Sequence, residues 1–255
     1  MKFVKALSSS TLLLGLALMS SKASALEACR VDIKNEVHLD GQQVEIVGES
    51  NSKVLIDKDN NLHINGKKIE LDQLQQDALE AYRQNMNKHL PQAKKLAENG
   101  LALSHDIIDD VAASFDNSEA FQNVKQVITE FFNDVSSRYQ QGDEFVLKSE
   151  AFSSFMDNWQ QDFAKARESF DKEFFASAFQ VMQEKMQQDG SFNLTELQNQ
   201  WSELQAQLAD TYQQQSKQLQ QEAKDYCDSL DDVATQEQEL QRKIPELKDY
   251  QVFTI

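Results

Sequence analysis

Glycine and proline are scarce here, seven and two residues in a chain of 255. Folds that build an active site on long loops use both at their turns, so this composition disfavours a loop-rich enzyme and favours long helices. The only cysteines are Cys29 and Cys227, with no Cys-x-x-Cys spacing of the kind a reactive thiol pair uses. The four histidines, His38, His63, His89 and His105, include no His-Glu-x-x-His, which removes the zinc-protease signature. His105 and Asp109 could share a helix face, but as a metal site they are half a set. Gly48-Glu-Ser50-Asn-Ser52 lacks the second glycine of a nucleophile elbow, and no phosphate loop or dinucleotide fingerprint is present. Positive charge is the minority: 25 Lys and Arg against 42 Asp and Glu give a formal charge of −17. Such a chain repels phosphate backbones and anionic lipid, so no nucleic-acid partner is expected.

What is present begins with an export signal. Lys2 and Lys5 precede the apolar run Leu12–Met19, and Ala23-Ser-Ala25 supplies a small-x-small cleavage site. Residues 1–25 therefore read as a secretory signal peptide, cut between Ala25 and Leu26, and the location as periplasmic. The run is too short for a stable bilayer span, so no stable membrane insertion of the mature chain is expected. Loss of Lys2, Lys5 and Lys22 with the leader would take the charge from −17 to −20. Lipoprotein processing at Cys29 is the rival reading, but Glu27 stands where a small uncharged residue is expected.

Residues 26–71 are β-rich. Short β-branched runs, Val37–Leu39, Val44–Val47, Val54–Ile56, Leu62–Ile64 and Ile69–Leu71, are separated by turn signals at Asp40-Gly41, Gly48–Asn51, Asp59–Asn61 and Asn65-Gly66. This predicts a small antiparallel sheet of hairpins that needs packing from elsewhere. Asp57–Asn61 has carboxylates at calcium-loop spacing, but Leu62 and Lys68 occupy the places of the required Gly and Glu, so a hairpin turn is expected.

Residues 72–255 read as long antiparallel amphipathic helices with a short C-terminal tail. Asp72 is a candidate N-cap, Pro91 opens a second helix, and Asn117 or Ser118 could cap a third. Asn193-Leu-Thr-Glu196 has the spacing of a capping box, and Leu194, Leu197, Trp201, Leu204 and Leu208 follow at coiled-coil-like intervals. The tail Tyr250–Ile255 is β-prone. It could add an edge strand to the N-terminal sheet or present its carboxylate to a partner groove.

The most distinctive stretch is Phe145–Met186, expected to be one helix. Phe152, Phe155, Trp159, Phe163, Phe170, Phe174, Phe175 and Phe179 recur mostly at steps of three, four or seven, and Phe152, Phe163 and Phe174 stand eleven apart. Each ring can bury on the order of 150–250 Å². The candidate interaction stripe is Phe152, Phe155, Trp159, Phe163, Phe170 and Phe174, which serves either as bundle core or as a grip for apolar clients.

In an oxidising compartment two cysteines usually pair, so a Cys29–Cys227 disulfide closing nearly the whole mature chain is expected. Cys29-Arg-Val31 after the leader, the hairpin strands ending in Ile64-Asn-Gly-Lys67, the polar helix with Asp77, Ala78 and Tyr82, Leu90-Pro91 and a single late Cys227 together resemble the YggN-like family. Those are secreted proteins of Gram-negative bacteria carried as a domain of unknown function. The resemblance implies a periplasmic location and supports the cysteine pairing; it brings no activity, ligand or catalytic residue.

The expectation is thus an α+β protein: a small N-terminal antiparallel β-hairpin sheet, then long antiparallel amphipathic helices, with one disulfide. The function expected first is a non-enzymatic helical interaction or scaffold protein of the envelope, meeting a protein partner or a second copy of itself. A chaperone-like binder of apolar clients through the Phe152–Phe179 stripe is the alternative, and an enzyme of unrecognised type a third. No catalytic residue, metal or cofactor is assigned.

Overall fold

The structure, a computed structural model, describes residues 31–114, 119, 121–149, 152–189 and 194–254, with side chains of the two longest helices described mainly over 161–181 and 217–243. The leader, its cleavage site at Ala25 and Leu26, Cys29, the proposed caps Asn117 and Ser118, and Asn193 lie outside the described residues.

The fold is α+β. Strands β1 (Asp32–Ile33), β2 (Glu36–Leu39), β3 (Val44–Val47), β4 (Lys53–Ile56), β5 (Leu62–Ile64) and β6 (Lys67–Ile69) come first. Helices α1 (Gln73–His89), α2 (Gln92–Ser114) and α3 (Gln122–Ser137) follow, then β7 (Gln140–Gln141) and β8 (Glu144–Leu147). Helices α4 (Phe152–Asp189) and α5 (Leu194–Lys243), a 3₁₀ segment (Pro245–Tyr250) and β9 (Phe253–Thr254) complete the chain.

The hairpins form where local chemistry requires them. Asn65 and Gly66 both take positive φ, 50° and 78°, as a two-residue primed turn demands. The Asp57 carboxylate accepts from the backbone N–H groups of Asp59 and Asn61, both at 2.9 Å, so this segment is an Asx-stabilised hairpin turn. Alternation along the strands sends Val37, Leu39, Val44, Ile46, Val54, Ile56 and Leu62 to one face, where each is essentially buried.

Two expectations need correction. The sheet has seven strands, in the order β6-β5-β4-β3-β2-β8-β7, because the hairpin β7–β8 joins it from the middle of the helical stretch. Phe145 therefore sits in a strand, and the Phe-rich helix starts at Phe152. Gly142, at φ 63°, turns the chain back, and β8 pairs with β2 through Val37↔Leu147, His38↔Val146 and Leu39↔Phe145. A short apolar run suits either state, and here an available sheet edge decides. Likewise α3 begins at Gln122, behind Phe121 in the left-handed region, rather than straight after Asn117 or Ser118.

The tail is docked. Strand β9 pairs with β1 (Asp32↔Thr254, Ile33↔Phe253) in a separate two-stranded sheet, instead of extending the hairpin sheet. Val252 and Phe253 are buried, so these residues are not offered to a partner's groove.

Helix α1 is capped as expected: Asp72 accepts from Gln75 N at 2.9 Å and the Gln75 side chain accepts from Asp72 N at 2.9 Å. Its face of Leu79, Tyr82 and Met86 closes the sheet together with Leu230, Val233, Ala234 and Leu240 of α5. Fifty residues of α5 span about 75 Å at 1.5 Å per residue. Helices α1 and α2 run antiparallel along it, tied by Gln75 to the Lys243 carbonyl (2.7 Å), Asn85 to Gln236 (2.9 Å) and Asn99 to Glu222 (2.8 Å). Helix α3 returns antiparallel to α2, with His105 to Thr129 at 3.1 Å and an ion pair between Asp109 and Lys125. Helix α4 runs antiparallel to α3, with Arg138 donating to Asp162 at 2.5 Å near the root.

Candidate functional site

Among the described residues, exposed rings gather on the aromatic face of α4 and a buried carboxylate stands at the C-terminal strand.

On α4 the stripe divides. Phe170, Phe174, Ala178 and Val181, at steps of four, four and three, pack with Ile108, Val111 and Ala112 of α2, Phe121, and Val124 and Ile128 of α3 in a second core. Phe170 and Phe174 stack with centroids 5.8 Å apart, and Phe121 lies 5.2 Å from Phe174. Phe163 meets Phe131 edge-on at 6.5 Å and keeps 49% of its surface exposed. Phe175 and Phe179, one residue beyond the packed positions, are 60% and 62% exposed. One residue is 100° of helix, which carries these two rings off the packed face. The backbone of Phe152, Phe155 and Trp159 is helical, and their side chains lie outside the described residues.

Phe121 is the keystone of this second core. Its backbone sits at φ 68°, ψ 12°, uncommon for a bulky residue and costing on the order of 1–3 kcal/mol. Its ring is nonetheless 2% exposed, so packing against Phe174 holds the strained turn in place. Beside it lies an open cleft of about 450 Å³, lined largely by polar side chains including Glu119, Gln122, Asn123, Ser177, Gln180 and Glu184.

The buried carboxylate is Glu237 on α5, 2% exposed. One oxygen accepts from the Tyr82 hydroxyl (2.9 Å) and the Val252 amide (2.7 Å), the other from the Phe253 amide (2.9 Å). Burial pushes its pKa up to about 7, against the pull of those three donors. Burial and the adjoining Glu237 charge push the Tyr82 hydroxyl well above its ordinary value. The space beside the pair is about 10 Å³, room for one water at most. The arrangement fastens the C-terminal strand to α5, and Asn35, also buried, helps by donating to the Gln251 carbonyl at 2.7 Å. Nothing in the polar run Gln236-Glu-Gln-Glu239 marks Glu237 in advance; only its register opposite Tyr82, at the seventh residue from the end of α5, singles it out.

The remaining candidates are dispersed. His105 bonds Thr129 while Asp109 pairs with Lys125, so those two do not form a shared site. Among the described residues no group of three His, Cys, Asp or Glu side chains is placed to hold a metal ion. Cys227 is buried on α5, 4% exposed, and its expected partner Cys29 lies outside the described residues. Among the described residues no helix is long and apolar enough to cross a membrane.

No curated protein and no solved structure matches the chain. Residues 29–253 match the family described as a protein of unknown function (DUF2884), and the chain belongs to that family.

Proposed function

We propose that the protein is a non-enzymatic interaction protein of the bacterial periplasm, exported by residues 1–25, closed by a Cys29–Cys227 disulfide, and binding a protein partner through the outward aromatic face of α4. The observation that carries this reading is the division of the stripe: Phe170 and Phe174 belong to the second core, whereas Phe175 and Phe179 are 60% and 62% exposed on the same helix. Adjacent exposed aromatic rings are the usual anchors of a protein interface.

A second reading has its own support. The formal charge of −17 would keep a complex with an apolar client dispersed, which favours a chaperone-like role at the same face. In-cell photo-crosslinking with probes at Phe175 and Phe179, and at exposed Gln218 as control, separates the two. One discrete partner at the Phe positions supports an interaction protein. A broad set of unfolded envelope precursors there supports the chaperone. Crosslinks at Gln218 alone would refute α4 as the binding face.

A further inference from the structure

The outer face of the sheet carries a titratable cluster that neither core uses. His38, on β2, lies between two carboxylates: its Nε2 is 2.7 Å from Glu36 Oε1 and its Nδ1 is 3.1 Å from Glu144 Oε2. Glu36 is on the same strand, whereas Glu144 opens β8. An ionised carboxylate only accepts hydrogen bonds, so both ring nitrogens must donate, and only the imidazolium carries two N–H groups. A neutral ring would keep one of these bonds and set its other nitrogen lone pair against carboxylate oxygen.

The surroundings favour the charged ring. Glu45 of β3 lies directly across from His38, and Lys53 of β4 pairs with Glu45 at 2.5 Å. On the β8 side the residue opposite is Val146, buried and uncharged. Two carboxylates thus bond the imidazole, and the Glu45–Lys53 pair lies on the neighbouring strands. Burial acts to lower its pKa, but the two hydrogen bonds and the charges of Glu36 and Glu144 outweigh that and raise it above 6.5.

The position gives the contact leverage. The β7–β8 hairpin is the edge of the sheet, and it is the covalent link from α3 to α4. It meets the sheet through three cross-strand pairs with β2, helped by Ser149 donating to the Lys34 carbonyl at 2.6 Å and Lys94 donating to Gln140 at 3.2 Å. Strand β7 is two residues long. Strand β8 alone joins the hairpin to β2, so its fastening rests on these contacts and on the packing of Phe145, Val146 and Leu147.

We propose that His38 is a proton-operated clip that fastens the β7–β8 hairpin, and with it the root of the α3–α4 pair, to the sheet, and that the clip opens as pH rises. Glu144 is the contact that yields, being the longer of the two and the more exposed.

The test is nuclear magnetic resonance on the full mature chain. The His38 ring signals are followed from pH 5 to 9, and amide exchange of residues 145–147 is measured at pH 6 and 8 relative to the rate of the unstructured chain at each pH. The expected result is a His38 midpoint above 6.5, with relative exchange of the hairpin rising about two- to fivefold between the two pH values, the range an exposed ion pair supports. His38→Gln should abolish that rise, and Glu144→Gln should lower the His38 midpoint while the chain stays folded. A midpoint at or below 6.5, a hairpin whose relative exchange ignores pH, or a rise that persists in His38→Gln overturns the clip.

Discussion

The two hydrophobic cores of this molecule differ in how they are closed. The first gathers one face of the sheet, α1, the end of α5 and the tail; Tyr82, Phe253, Leu39, Ile56, Leu79 and Leu240 are fully buried in it. Chain segments far apart in sequence meet there, and the buried Glu237 carboxylate has three donors. The second core, between α2, α3 and α4, rests on a few aliphatic residues and a cluster of Phe rings, with Phe170 and Phe174 only partly buried. Rings of the same helix stand outside it. On the proposed reading the difference separates stability from recognition: a region closed on every side has no surface to spare, whereas a helix with rings on two faces can pack one and present the other.

The sharpest way to break this comparison is to cut a cavity in each core. Leu79→Ala, at a fully buried position, should cost about 3 kcal/mol in denaturant unfolding, within the range for buried Leu. Phe174→Ala should cost less, about 2 kcal/mol, because its site is already part-open. A larger loss at Phe174 would make the second core the stronger one.

Glu237 sharpens the same contrast through pH. Its folded pKa of about 7 lies above the ordinary 4.5, so the folded state holds the proton more tightly than the unfolded one. Its linked contribution is therefore complete below 4.5 and is lost as pH rises through about 7. Glu237→Gln has one acceptor oxygen for two amides and one hydroxyl; it should cost about 2 kcal/mol and remove this part of the pH slope, read as the unfolding midpoint at pH 5 and 8. His38 acts in the same direction: its stabilisation is present below 6.5 and lost as pH rises through its raised folded value.

Smaller effects are expected where structure meets solvent. Gly142→Ala forces a side chain into φ 63° at the hairpin turn and should cost about 1 kcal/mol. Phe175→Ser with Phe179→Ser should change stability by less than about 0.5 kcal/mol while abolishing crosslinks from neighbouring α4 positions. A large loss of stability in that pair would place the rings in a core after all.

Features written in adjacent residues were legible from the sequence. Asn65-Gly66, the Asp57 turn and the Asp72 N-cap each contain their own hydrogen-bond partners or backbone freedom within a few residues, and all three form as read; that Gln75 completes a capping box with Asp72 is added by the structure. Helical spacing placed Phe163, Phe170 and Phe174 on one helix for the same reason. What the sequence could not express is which distant element arrives. Glu144–Leu147 is a strand because β2 offers an edge, Phe253 is buried because β1 and Glu237 capture the tail, and Glu237 differs from Glu239 only by the direction it faces. Periodicity determines that a residue lies on a face; only the tertiary structure decides whether that face meets a core or water, because the free energy of burial belongs to the pair of surfaces and not to either alone.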